Sequence, residues 1–467
     1  MSLPHSLRVV MLFAIALHLQ AGIAAELALD RPTLSHLSAL KPGELLAIDA
    51  FPVGPTRVTS IRFERVEIYS SDAHIYEMTA SGQKELPRST RIFLRGYSAD
   101  GSARVALSLN VDSSFAEGSG SGPEGAFSLR KASGKSGNST LTARPLVVPP
   151  GFKFDFRCAN EGKNMDVRDI GDLATRLHVD NSPTGIEATA SHALRLATVA
   201  VDTDSLFMSS LFVNNTTSAT NWIASMFNIM NTMYERDLTV RLLIGKTILR
   251  TSAATDPYTS FTPGATTAEL DIFANQWKLN ESGTPRTFAT LLSGAIPSSP
   301  GGCGASGLAW INQYCQKGTV QGADTVGSYN INQVCSSIDI DPDGDFNARI
   351  VGHELGHNFG AWHTHCTNQA TGDAPTGANT IDICHSGETY KIGQTTVACY
   401  SGGTSCPAAG AGTIMSYCNF SDSGCPQGTD NLLQFHPTHI TQVDGFIAAA
   451  PAGCLNTTDD VFFSGFE

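Results

Sequence analysis

One stretch constrains this chain more than any other: His353-Glu354-Leu355-Gly356-His357-Asn358-Phe359-Gly360-Ala361-Trp362-His363. Histidines four apart leave the same face of a helix, so His353 and His357 predict a helix that offers two imidazoles to one ion. Glu354 directly follows the first of them, where its carboxylate reaches a water at the ion's open position. Gly360, three residues past His357, suits the sharp positive-φ turn that ends such a helix. Beyond the turn the chain returns with His363 as a third ligand. Three nitrogens and one open corner describe a catalytic zinc; a structural zinc needs a fourth protein ligand. His365 is the nearby candidate for that place, and its closeness to His363 makes joint ligation awkward. Two histidines on a helix are often plain polar surface, but the added glycine and third histidine at fixed offsets argue otherwise.

A second element stands about fifty residues downstream, Thr413-Ile414-Met415-Ser416-Tyr417-Cys418, where a methionine-bearing turn would pass beneath the ligands. With both elements present, the chain resembles the metzincin metallopeptidases and is most similar to the adamalysin (reprolysin) type. Gly307-Leu308-Ala309-Trp310, with Cys315 beyond, is similar to the segment that forms that family's substrate-binding edge strand. The resemblance spans roughly residues 193 to 450. It departs at Thr364, where adamalysins usually carry Asp. Met415-Ser416-Tyr417 is also similar to serralysins, whose tyrosine approaches the metal, yet their glycine-aspartate calcium repeats are absent.

The resemblance implies an α/β catalytic domain: a mixed, mostly parallel twisted sheet with helices, followed by an irregular, disulfide-rich lower subdomain. It implies one catalytic zinc held by His353, His357 and His363, with Glu354 as general base and Met415 in the turn below. Tyr417 would donate to the oxyanion. Extended protein or peptide substrates would add a strand beside Leu308, Ala309 and Trp310. The activity expected is that of a zinc-dependent endopeptidase. The alternatives are a metzincin of another subfamily, serralysin-like, or a zinc-stabilised binding or adhesion module that no longer cuts. Retention of Glu354 speaks against the latter.

A chain of 467 residues is long for one core and suggests two domains. Arg8, the apolar run Val9 to Leu17 and the small residues Gly22, Ala24 and Ala25 read as an export signal over residues 1–25. A secreted, extracellular protein is therefore expected. No later apolar stretch approaches the roughly 18 residues of a membrane span. The net charge of −13 lies wholly beyond residue 190, which argues against nucleic acid as a partner. Ten of the 11 cysteines also fall there: Cys303, Cys315, Cys335, Cys366, Cys384, Cys399, Cys406, Cys418, Cys425 and Cys454. In an exported chain they predict up to five disulfides, with those at Cys366 and Cys418 holding the walls of the site.

Residues 26–185 read as a β-rich propeptide. Val105, Leu107, Leu109 and Val111 alternate with small or polar residues, as does Ile61-Arg62-Phe63-Glu64. Ser119-Gly120-Ser121-Gly122-Pro123 reads as a flexible loop, and Asn181-Ser182-Pro183-Thr184-Gly185 as the domain boundary. The remaining cysteine, Cys158, follows Arg157 just before the catalytic domain. A thiolate is a good zinc ligand, so the propeptide is expected to close the fourth zinc position with Cys158. This is the latency of matrixins and adamalysins, although Ala159 stands where the matrixin motif has Gly. A buried free thiol, or pairing of Cys158 with Cys454, is the structural alternative. Arg168, Arg176 and Arg195 are processing candidates.

Residues 190–455 form the catalytic domain. Strands are expected at Leu196–Val201 and Leu238–Ile244. Helical stripes run through Trp222, Met226, Ile229, Met230 and Met233, and through Leu270, Phe273, Ala274 and Trp277. The zinc helix is expected from Asp345 to Phe359 and a closing helix from Pro437 to about Ala448. Asp339, Asp341, Asp343 and Gly344 lack the bidentate Glu of an EF-hand, Ile350 standing in its place, so calcium is possible but not indicated. Residues 456–467 are a short tail.

Overall fold

The computed structural model describes residues 26–29, 31–110, 116–133, 139–145, 153–154, 157–158, 164–165, 194–295, 302–303, 306–334, 345–374, 376–392, 395–405, 412–418 and 433–457. The expected export signal, the expected boundary at 181–185, Arg168, Arg176, the aspartate loop before the zinc helix and the expected tail from residue 458 onward lie outside the described residues.

The first half runs β1 (Glu26–Leu29), α1 (Arg31–Ala39), β2 (Leu45–Pro52), β3 (Val58–Arg65), β4 (Ile75–Thr79), β5 (Gly82–Leu86), β6 (Ile92–Ser98), β7 (Arg104–Leu109), β8 (Ala116–Gly122), β9 (Gly125–Ser133) and β10 (Ser139–Pro145). Eight of these strands form a sheet in the order β1-β10-β9-β8-β7-β6-β3-β2. Its neighbours pair antiparallel. The alternation along β7 turns Val105, Leu107 and Leu109 into one core with Phe63 and Phe127. Ser119 to Gly122, expected to be a loop, is instead the body of strand β8. A Cβ on Gly120 would lie 2.3 Å from the Arg104 carbonyl oxygen and 2.7 Å from the Phe127 ring. Glycine is present there to seat Phe127 in the core, and composition alone could not separate that use from flexibility.

The first half ends with β11 (Arg157–Cys158), and the second adds β12 (Arg195–Thr203), α2 (Thr216–Leu238), β13 (Val240–Arg250), α3 (Thr267–Asn280), β14 (Phe288–Ser293), β15 (Ser306–Ala309), β16 (Tyr329–Gln333), α4 (Asp345–Asn358), β17 (Thr389–Ile392), β18 (Thr395–Ala398) and α5 (Pro437–Ala449). Helices α4 and α5 begin and end close to where the sequence placed them, and the predicted apolar stripes fall on α2 and α3. Asn215 caps α2 by accepting from the Ser218 amide, and Thr266 with Glu269 forms a capping box on α3. A second sheet runs β11-β15-β16-β14-β12-β13-β4-β5. The pairs β16–β14, β14–β12, β12–β13 and β13–β4 are parallel, while β15 runs antiparallel to β16.

Two ends of this sheet therefore belong to the first half of the chain. Hairpin β4–β5 extends it beyond β13, with Ile75 opposite Thr247 and Met78 opposite Arg250. At the other end β11 lies parallel to β15, Cys158 opposite Gly307. Helix α2 is sandwiched, packing on β13 on one side and on β6, β7 and β8 on the other. Its predicted stripe of Trp222, Met226, Ile229, Met230 and Met233 is buried in the larger core, which also takes in Phe93 and Ala106 from the N-terminal sheet. Among the described residues, no helix is long and apolar enough to cross a membrane.

Candidate metal centre

Helix α4 reaches the site through two glycines spaced one turn apart. A Cβ on Gly352 would lie 2.6 Å from the Met233 Cε, and one on Gly356 would lie 2.7 Å from the Met415 Sδ. Bare backbone at these positions lets α4 press against α2 and against the methionine turn. The Tyr234 hydroxyl donates to the Gly352 carbonyl at 2.7 Å, fixing the helix along its length.

The helix stops where the sequence indicated. Gly360 has φ +106°, its amide bonds the His357 carbonyl at 2.8 Å, and the Ala361 amide bonds that of Gly356 at 3.0 Å. This is a Schellman closure, and it needs the left-handed residue. The Asn312 and Gln313 amides satisfy the last carbonyls of the helix, at His357 and Asn358. Phe359 is packed edge-on against Phe288 and Tyr314, so the reversal that follows is held from below.

Past that reversal the three histidines meet. The Nε2 of His363 lies 3.2 Å from that of His353 and 3.1 Å from that of His357. Each Nδ1 faces an acceptor: the Ile414 carbonyl at 2.8 Å for His353, the Ala361 carbonyl at 2.7 Å for His357, and the Glu388 carboxylate at 2.9 Å for His363. A carbonyl or carboxylate oxygen only accepts, so each Nδ1 carries the ring proton and each Nε2 is left with a lone pair. Three lone pairs pointing at one another repel unless a cation lies between them. Their spacing is near the about 3.3 Å edge of a tetrahedron whose metal–nitrogen bonds are 2.0–2.1 Å.

Burial also keeps these rings in the state a metal requires. It depresses His353 to about 3, with the neighbouring His363 adding to the effect. His357 is pushed well below its ordinary value by the same causes, and burial lowers His363 against the opposing pull of Glu388. Neutral imidazoles are ready ligands. The residues present thus fit a zinc ion.

Around the three rings stand the other expected residues. Met415 is fully buried beneath α4, and the Thr364 amide bonds its carbonyl at 3.2 Å. Tyr417 lies with its ring 4.5 Å from that of His363 and is almost wholly covered. Glu354 is buried beneath β15, where a Cβ on Gly307 would come within 2.3 Å of its Oε1. Leu308, Ala309 and Trp310 are nearly covered, Leu308 and Trp310 within an apolar core, so what this strand offers a partner is its main chain. For Cys158 the described feature is the strand pairing opposite Gly307, which sets its main chain beside the strand that covers Glu354.

Disulfides brace these walls. Cys366 pairs with Cys399, Cys384 with Cys418 and Cys315 with Cys454. The last of these removes Cys454 as a partner for Cys158.

Sequence reasoning missed Glu388, which is fully buried among His363, His365 and Tyr390. Burial alone would push this carboxyl up; the adjoining imidazoles of His363 and His365 overturn that and hold it well below the usual carboxylate range. It stands 25 residues beyond His363 in an irregular stretch, where no periodicity marks it. His365, weighed as a fourth ligand, turns its Nε2 to Glu388 instead.

Residues 193–429 match a reprolysin-type family profile described as metallo-peptidase family M12. No curated protein gives a significant match to the chain.

Proposed function

Because this chain belongs to metallo-peptidase family M12 and is a zinc metalloendopeptidase, we propose that His353, His357 and His363 hold its zinc and that Glu354 is the general base. The observation carrying this reading is the convergence of three Nε2 lone pairs whose Nδ1 protons are all committed elsewhere. Zinc bound there supplies Lewis acidity, polarising the scissile carbonyl and acidifying the attacking water. Glu354 accepts the proton of that water on its carboxylate and returns it to the leaving amine. Tyr417, against His363, directs its hydroxyl to the oxyanion. An extended substrate pairs its main chain with the outer edge of β15, the strand-addition mode that suits a strand whose own side chains are buried.

The protein acts in this reading as a secreted hydrolase made in latent form. Its N-terminal segment supports that view, since β11 lies along the very edge of β15 that a substrate would use. Residues 26–185 are then the propeptide, and Cys158 is the ligand that closes the zinc until processing removes it. Arg195 begins a central strand and bonds Asp444, so a cut there would fall inside the folded sheet. Processing upstream is the better fit.

Glu354→Gln tests the mechanism. It should keep the zinc content of wild type while kcat falls by about 10²–10⁴. A variant that turns over peptide at the wild-type rate would remove Glu354 from this role.

A further inference from the structure

Among the described residues the ion-pair partners of Glu388 are two imidazoles, His363 and His365. The carboxylate is fully buried, and both its oxygens lie 2.9 Å from His363 Nδ1. The Tyr390 hydroxyl donates to Oε1 and the His365 Nε2–H to Oε2. His365 Nδ1 makes no hydrogen bond among the described residues. A buried carboxylate is costly unless a positive charge lies close by. An ion held at the Nε2 atoms, on the far side of the His363 ring, would supply such a charge.

The structure is built to keep this carboxylate in position. Cys366, next to His365, is joined to Cys399, and the Cys399 amide bonds the Glu388 carbonyl at 2.9 Å. Tyr390 is held by Trp362, the residue before His363, with ring centroids 4.6 Å apart. Both the third histidine and the group behind it are therefore clamped by the same small cluster.

We propose that Glu388 is the positioning residue of the metal centre, accepting the His363 Nδ1 proton so that Nε2 is fixed as a ligand and the negative charge strengthens the hold on the ion. Tyr390 and His365 orient Glu388 in turn, and His365 is no ligand. This inference rests on the three-histidine zinc site proposed above. Groups behind a metal-bound histidine commonly contribute 10–100-fold in metal affinity or activity.

The test is zinc dissociation from the full chain, measured by competition with a chromogenic chelator at fixed temperature, beside thermal unfolding. Glu388→Gln keeps an acceptor for His363 but removes the charge. Its zinc dissociation constant should rise about 10–100-fold, and kcat of the processed chain should fall with KM little changed. If E388Q does not fold, Tyr390→Phe carries the test, because it removes one donor to Glu388 and keeps the ring against Trp362; zinc should then bind several-fold more weakly. A purely structural role would lower the melting temperature of either variant and leave zinc dissociation unmoved, and that result overturns the proposal. Failure of the wild-type chain to hold zinc would instead overturn the three-histidine site itself.

Discussion

Gly307→Ala puts the geometry of the general base to a quantitative test. The added Cβ would stand 2.3 Å from Glu354 Oε1, 2.5 Å from Cγ and 2.6 Å from Cδ. Ordinary contact needs about 3.5 Å, so the carboxylate must retreat by about 1 Å. Glu354 is fully buried on a helix pinned at both glycines, and the strand carrying residue 307 is bonded to β16. The displacement therefore falls on the carboxylate. A shift of this size at a reacting group costs about 10²-fold in rate, or about 2.7 kcal/mol of transition-state stabilisation. The main chain of residue 307 keeps its hydrogen bonds, so KM should change little. Zinc content should stay at the wild-type level, since no ligand is touched. Overpacking should lower stability by about 1–3 kcal/mol. The assay is kcat and KM on a fluorogenic peptide, with zinc content and thermal unfolding measured on the same preparation. A folded, zinc-loaded variant with kcat within threefold of wild type would refute the placement of Glu354 as the working base.

Two further outcomes bear on the N-terminal half. Glu235 is buried between Arg241 at 2.7 Å and Arg95 at 3.2 Å. Burial would raise its carboxyl, but the two guanidinium groups prevail and hold it below the ordinary value. A depressed carboxylate contributes stability that is present above its unfolded pKa and lost as pH falls through the folded one. Glu235→Ala should thus cost about 3–5 kcal/mol at neutral pH by removing the carboxylate that both buried guanidinium groups face. It should also flatten the acid limb of stability against pH, and chemical denaturation across that range would show an unchanged limb if the reasoning is wrong. Cys158→Ser should give an unprocessed precursor that already cleaves peptide; a precursor as inert as wild type would end the thiolate-latency idea.

The zinc helix was legible because its chemistry is local. His353, His357 and Gly360 act within one helix and its closing turn, so spacing alone reports their geometry. The same holds for Pro437 in the first turn of α5. Strand pairing is not local, and there the sequence was silent. Nothing in Ile75 to Leu86 reveals that this hairpin extends a sheet whose central strands lie beyond residue 194, because alternation reports a buried face and not the identity of a neighbour. Glu388 was hidden for a related reason. Adamalysins usually place an acid directly after the third histidine, where this chain has Thr364, and the carboxylate found at this ring comes from 25 residues away. A glutamate in an irregular segment reads as surface until the fold buries it.

Helix α2 shows how such silence can still be informative once the fold is known. Its face toward the larger core is apolar, through Trp222, Met226, Ile229 and Met233. The face under the N-terminal sheet carries Asn221, Ser225, Asn228 and Glu235 instead. Ser89 donates to Asn221, Arg91 to Ser225 at 2.9 Å, and Arg95 to Asn228 and Glu235. In sequence this polar stripe is indistinguishable from a solvated surface. Such polar pairing is what separable units use where they meet, while obligate contacts are more hydrophobic. Water can take over the hydrogen bonds of Asn221, Ser225 and Asn228 if β6 to β8 leave, and Glu235 would keep Arg241, which lies on its own side of the interface. If residues 26–185 are the propeptide proposed above, the amphipathic pattern of α2 has a physical sense: a helix buried on both faces before processing would still be fit to meet solvent on one of them afterwards.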